Sequence, residues 1–174
     1  EMMRDAAVDM VGGVAIGLRN VRARRWLAVH PPVEVTVITK RLDHERVRVV
    51  LEGYAEGDVL VANAYPEPPT AALAPLSSPS PARVSAVELY EERWMFHGPG
   101  YQSVHSITGI SDDGIDGQLV ALPSVGALLD GAGQLFGYWV MESVEVDRLA
   151  MPVSIASVDW YAAEPVPSQV VSCR

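Results

Sequence analysis

Apolar and polar positions along the chain follow two alternating rhythms. Met2, Met3, Ala6, Ala7 and Met10 recur at helical spacing, and Gly12-Gly13 then stops the run. Val33-Glu34-Val35-Thr36-Val37 alternates with period two, as a half-buried strand does. Strand-like runs cover 14–29, 33–40, 45–54 and 58–65. Turn sequences at Leu42-Asp43-His44-Glu45 and Glu56-Gly57-Asp58 predict an antiparallel meander. Ser85-Ala86-Val87-Glu88 is a capping-box pattern that opens a short helix to about Trp94. Strands over 101–110 and 115–122 flank the turn Ser111-Asp112-Asp113-Gly114, and further strands cover 152–161 and 168–173. One long helix is predicted over 125–140, enclosed by other structure.

Between these halves, Pro66 to Arg83 carries Pro66, Pro68, Pro69, Pro75, Pro79 and Pro81 with little charge, and reads as a linker. The order on its two sides repeats. A helix leads to a strand with Arg25-Trp26-Leu27, then Pro31-Pro32 and a Val-rich strand. The second helix leads to Asp159-Trp160-Tyr161, then Pro165, Pro167 and a Val-rich strand. The expected fold class is α+β: two tandem units, each a central helix wrapped by an antiparallel sheet. The divisions are 1–65, a linker at 66–84, and 85–174. The first unit lacks an opening and the second lacks closing strands, so the chain reads as truncated at both ends.

The 174 residues hold 13 Lys+Arg and 22 Asp+Glu, a formal net charge of −9, which disfavours nucleic acid and anionic membrane surfaces as partners. A single cysteine, Cys173, leaves no disulfide framework, and His30, His44, His97 and His105 show no metal-ligand spacing. The apolar run at 125–141 is broken by Asp130, Gln134 and glycines, so it is not read as a membrane span. Arg19, Arg22, Arg24 and Arg25 form either a solvated strand edge or a docking patch for an acidic partner.

Asp130 and Gln134 are an i,i+4 pair on the glycine-rich helix. A carboxyl group in an apolar helix is costly unless neutral or paired, a setting that suits a general acid; the plainer alternative is a solvent-facing edge. His97-Gly98-Pro99-Gly100-Tyr101-Gln102 is a loop with a tight turn that either is purely structural or brings His97 to a pocket.

Leu89-Tyr90, then Phe96-His97-Gly98-Pro99-Gly100-Tyr101-Gln102, then Leu128-Leu129-Asp130-Gly131-Ala132-Gly133-Gln134 together resemble the second half of a polyketide synthase dehydratase domain. Arg148-Leu149-Ala150-Met151-Pro152-Val153 is similar to that family as well. The resemblance implies a double hotdog fold, its first unit incomplete here. It also implies a lyase step in which a β-hydroxyacyl group on an acyl carrier protein loses water to give an α,β-unsaturated thioester. Asp130 matches the family's proton donor to the leaving hydroxyl, and Gln134 the residue that holds the aspartate and the hydroxyl. His97, where the family often has tyrosine, together with Gly98, Pro99, Tyr101 and Tyr138, is expected at the substrate. The family's catalytic histidine belongs to a His-x-x-x-Gly-x-x-x-x-Pro motif that this sequence lacks, so the isolated chain is expected to be inactive. The resemblance further implies a cytoplasmic multienzyme, with other synthase domains and a possible homodimer as partners. No metal or redox cofactor is expected, because the substrate rides on the carrier's phosphopantetheine arm. Alternatives on the same scaffold are a product-template cyclase, an isomerase, or a catalytically silent module for carrier binding or dimerisation.

Overall fold

A computed structural model describes residues 1–28, 31–70, 74–144 and 151–174. The chain divides into two compact units. One comprises Glu1–Pro69 with Pro152–Ala163, the other Thr70–Met151 with Glu164–Arg174.

In the first unit, helix α1 (Met2–Val11) buries Met3 and Ala7, the members of its apolar stripe one turn apart. It ends where Gly12 and Gly13 take positive φ. The strands are β1 (Val14–Ala23), β2 (Val37–Arg41), β3 (Arg46–Leu51), β4 (Ala55–Ala62) and β7 (Ser154–Asp159), in the order β2-β3-β4-β1-β7 with every pair antiparallel. On β3, Val47, Val49 and Leu51 alternate inward and form the core with Met3, Ala7, Ala15, Val59 and Val61. Asp58, also buried, is held by Arg48 from the neighbouring strand. Three of the four arginines of the cluster are engaged within the unit: Arg19 pairs with Asp159, Arg24 with Glu56, and Arg25 lies over the Tyr54 ring at 4.5 Å.

The position of β7 corrects the sequence-based division. Sequence continuity places residues 152–161 in the second unit, yet Gly17 pairs with Asp159 and Leu18 with Val158. The strands that follow the two long helices therefore pair with each other. Alternation along a strand encodes its face and not its partner, so nothing in 152–161 distinguishes the two outcomes.

The second unit contains α2 (Ala86–Glu91), a three-stranded sheet of β5 (Val104–Ser111), β6 (Gly114–Val120) and β8 (Val170–Cys173) in the order β5-β6-β8, and α3 (Ala127–Val144). The capping box forms at α2. Ser85 N–H donates to the Glu88 carboxylate at 2.7 Å, and Glu88 N–H donates to Ser85 Oγ at 3.2 Å. The helix ends earlier than expected, and Arg93 beyond it adopts φ 62. The predicted linker is also shorter than expected. Ser80 and Ile110 exchange backbone hydrogen bonds at 2.9 Å, and Val84 enters the core, so the second half of the proline-rich stretch packs against β5. Proline cannot sustain a strand ladder, and a single bridge flanked by Pro79 and Pro81 is what such a sequence allows.

Strand β6 points Ile115, Gly117 and Leu119 inward, toward an α3 face of Ala127, Gly131, Gln134, Leu135, Tyr138 and Met141. The opposite stripe of α3, Leu129, Gly133 and Phe136, is exposed. The helix is thus half-buried, where the sequence predicts near-complete enclosure; its apolar residues run around the whole circumference and do not reveal which side the sheet covers. Among the described residues, no helix is long and apolar enough to cross a membrane. A Cβ at Gly133 would meet nothing within 4 Å. Gly133→Ala is therefore expected to raise stability by about 0.5–1 kcal/mol, read as a higher urea midpoint at unchanged slope.

Candidate active site

All the residues of the candidate site belong to the second unit. Helix α3 carries Asp130 and Gln134 one turn apart, and the side chains meet: Gln134 Nε2 donates to Asp130 Oδ2 at 2.7 Å. Gln134 is 2% exposed, whereas the Asp130 side chain is 40% exposed. The carboxyl group therefore faces solvent from a buried support, rather than lying in the enclosed apolar setting that the helix composition suggests.

Every polar group of the Gln134 amide is used. Its Nε2 also donates to the Tyr101 carbonyl at 2.7 Å, and its Oε1 accepts from the Tyr90 hydroxyl at 2.7 Å. That hydroxyl in turn accepts from Val104 N–H at 3.0 Å. Burial, with a smaller contribution from the Asp130 charge, pushes the Tyr90 phenol up to about 12, so it stays protonated and donates to Gln134 at neutral pH. The amide orientation is fixed from both ends: a hydroxyl that must donate meets its oxygen, and a backbone carbonyl meets its nitrogen. With both Nε2 hydrogens donated and its oxygen accepting from Tyr90, Gln134 is a fixed support for Asp130.

The loop before β5 brings the rest. Gly98 precedes a single 3-10 turn over Pro99–Tyr101, with Pro99 in its first position, where a missing N–H costs nothing. Gly98, Pro99 and Tyr101 are exposed, and the Tyr101 hydroxyl donates to the Val125 carbonyl at 3.1 Å. Gln102 Nε2 donates to the His97 carbonyl at 2.9 Å. His97 places its Nε2 3.2 Å from Asp130 Oδ2, and its ring stacks on Phe96 at 4.3 Å. The loop and the helix pair expected at one site are thus brought together.

Tyr138 departs from expectation. It is fully buried in the core, its hydroxyl engaged by Glu142 and by Val84 N–H at 3.4 Å, so its role is packing and not substrate contact. Of the other histidines, His44 and His105 are exposed, and His30 lies outside the described residues, as do Arg148 to Ala150 of the family-like stretch. Tyr90 belongs to the family-like motif, but the sequence alone does not place it at the site. A tyrosine at the end of a six-residue helix carries no periodic signal for its partner. Glycines on an enclosed helix permit close approach, and Gly131 is where that approach occurs. A Cβ there would overlap Ser103 Oγ and lie 3.2 Å from Ser103 Cβ, while Ser103, fully buried, donates to the Ala127 carbonyl at 3.0 Å. Gly131 thus seats α3 directly beside Asp130.

No protein-family model and no curated protein sequence matches the chain. Solved structures do. The dehydratase domain from the CurK module of Curacin polyketide synthase superposes with a TM-score of 0.65 at 16% identity, over 98% of this chain and 69% of that one. The dehydratase domain of the polyketide PpsC from Mycobacterium tuberculosis gives 0.66 at 20% identity, over 93% and 65%. The dehydratase domain from the CurF module of Curacin polyketide synthase gives 0.64 at 18%, over 93% and 66%. The chain thus has the α+β fold of these dehydratase domains, a double hotdog, and spans about two thirds of their length.

Proposed function

We propose that this chain forms part of a polyketide synthase dehydratase domain, which converts a β-hydroxyacyl thioester on an acyl carrier protein into the α,β-unsaturated thioester and water. The observation that carries this reading is the Asp130 carboxyl group. Oδ2 accepts from Gln134 and lies within reach of His97, whereas among the described residues no donor reaches Oδ1. The proton that acid catalysis of this step requires would sit on the oxygen left open, Oδ1, facing outward. In the elimination, a base takes the α-proton, the Cα–H electron pair forms the double bond, and the β-oxygen leaves with the proton from Asp130. The thioester carbonyl makes the α-proton acidic, so the step is redox-neutral and needs only the acid and the base. The reading assigns the base to a residue outside this chain. His97 does not fit that role, since its Nδ1 is buried and its Nε2 faces Asp130.

By microscopic reversibility the same site hydrates an enoyl thioester. The test follows the conjugated-thioester absorbance of a carrier-bound enoyl substrate with the complete domain. Loss of absorbance with formation of the β-hydroxyacyl carrier is expected, and an unchanged spectrum at high enzyme concentration would contradict the reading. Tyr90→Phe removes both the hydrogen bond donated to Gln134 and the one accepted from Val104 N–H, and is expected to cost about 1–3 kcal/mol of stability, read by urea denaturation. It should also lower the rate, because the amide that holds Asp130 loses one fixed end.

A further inference from the structure

We propose that Gly133 is a specificity-determining residue of the candidate site: the notch it leaves on α3 beside Asp130, walled by Leu129 and Phe136, takes the alkyl chain of the acyl group beyond its β-carbon. The proposal deepens the dehydratase reading and rests on it for the identity of the ligand. Three glycines lie within α3. A Cβ at Gly131 would overlap Ser103 Oγ, and one at Gly137 would lie 3.3 Å from Met95 Cε. One at Gly133 would meet nothing within 4 Å, and Gly133 lacks the positive φ that Gly126 adopts just before the helix. Among the described residues the fold thus gives neither a packing nor a backbone reason for this glycine. A weakness that brings the fold no benefit is characteristic of positions that function uses.

Its place on the helix names the use. Gly133 follows Leu129 by four residues and Asp130 by three, and Phe136 follows it by three, spacings that make them neighbours on the helix surface. Helical Cα–Cβ bonds tilt toward the N-terminus, so any side chain at 133 would lean over the turn that carries Asp130 and Leu129. The glycine leaves that space open beside a carboxyl group that is itself 40% exposed. Both flanks are apolar and exposed, Leu129 to 44% and Phe136 to 55%. Phe136 is also held from behind: its ring leans on Trp139 at 5.9 Å, and Trp139 Nε1 donates to the Ser111 carbonyl at 2.8 Å. A leucine, a gap and a fixed aromatic ring form an apolar trough that begins at the carboxyl group and runs toward the C-terminus of α3. A four-carbon acyl group ends one carbon beyond the reacting β-carbon and fills little of it, whereas a longer chain lies along it.

The test compares the wild-type complete domain with Gly133→Leu, which fills the notch. Binding is measured by calorimetry with butyryl- and decanoyl-pantetheine carrying an amide in place of the thioester; these probes lack a β-hydroxyl and cannot react. A buried methylene group contributes about fourfold in affinity, so a trough that covers three of the additional methylene groups gives wild type a preference of about 60-fold for the longer probe. Gly133→Leu is expected to lower that ratio at least about tenfold, with a urea midpoint at or above wild type. Equal weakening of both probes, an unchanged ratio, or no binding of either probe by wild type would overturn the proposal. A lowered midpoint would also overturn it, because protein and not substrate would then occupy the notch. In a second arm, kcat/KM is measured with carriers bearing β-hydroxybutyryl and β-hydroxydecanoyl chains, and the long-to-short ratio is expected to fall in parallel. Length-selective binding that Gly133→Leu abolishes, without dehydration of either carrier by wild type, would sustain the notch and count against the dehydratase reading.

Discussion

Asp130→Asn is expected to lower dehydration by the complete domain about 100- to 10,000-fold, the range that a positioned general acid contributes. The fold should survive intact. An asparagine amide oxygen can occupy the place of Oδ2 and accept from Gln134, whose nitrogen lies 2.7 Å away in the wild-type site. The amide nitrogen then stands where the reactive O–H was, and it cannot deliver a proton to a leaving hydroxyl at any useful rate. Because the substitution is nearly isosteric and the side chain is 40% exposed, the urea midpoint should stay within about 0.5 kcal/mol of wild type. A large loss of stability would instead make Asp130 a structural residue.

Gly131→Ala should act in the opposite way, on stability before chemistry. The added methyl group collides with Ser103, which is fully buried and bonded to the Ala127 carbonyl. Rotating the serine hydroxyl away breaks that bond and still leaves its Cβ 3.2 Å from the new carbon. Overpacking of this kind costs about 1–3 kcal/mol. The pair Gly131→Ala with Ser103→Gly, which clears the space, should recover part of the loss, and the double-mutant cycle measures the coupling. Gly133, two residues on, should respond with the opposite sign to the same alanine. Two glycines of one helix thus separate into one demanded by packing and one that is a local weakness.

That contrast marks the limit of what sequence could convey. The i,i+4 spacing of Asp130 and Gln134 is a property of any α-helix, so their contact was legible once 125–140 was read as helical. The Gly-Pro turn placed a loop before a strand, and the family-like order joined it to the helix. Contacts between segments distant in sequence were not legible. Tyr90 reaches Gln134 across 44 residues, and β7 pairs with β1 across more than a hundred; neither leaves a periodic trace. The packing of residues 77–84 against β5 was masked by prolines, whose local signal is that of an extended linker. Tyr138 was placed at the substrate, but its burial follows from which face of α3 meets β6, and a helix apolar on all sides does not encode that choice.

The central claim is that Asp130 delivers the proton to a departing β-hydroxyl. The most direct measurement is a single-turnover experiment with a carrier protein loaded with a β-hydroxyacyl chain, mixed with the complete domain or its Asp130→Asn variant and followed by intact-protein mass spectrometry. The account predicts that wild type converts the carrier to a species one water lighter, while the variant, folded to the same urea midpoint, leaves it unchanged on that timescale. Equal conversion by wild type and variant would contradict it.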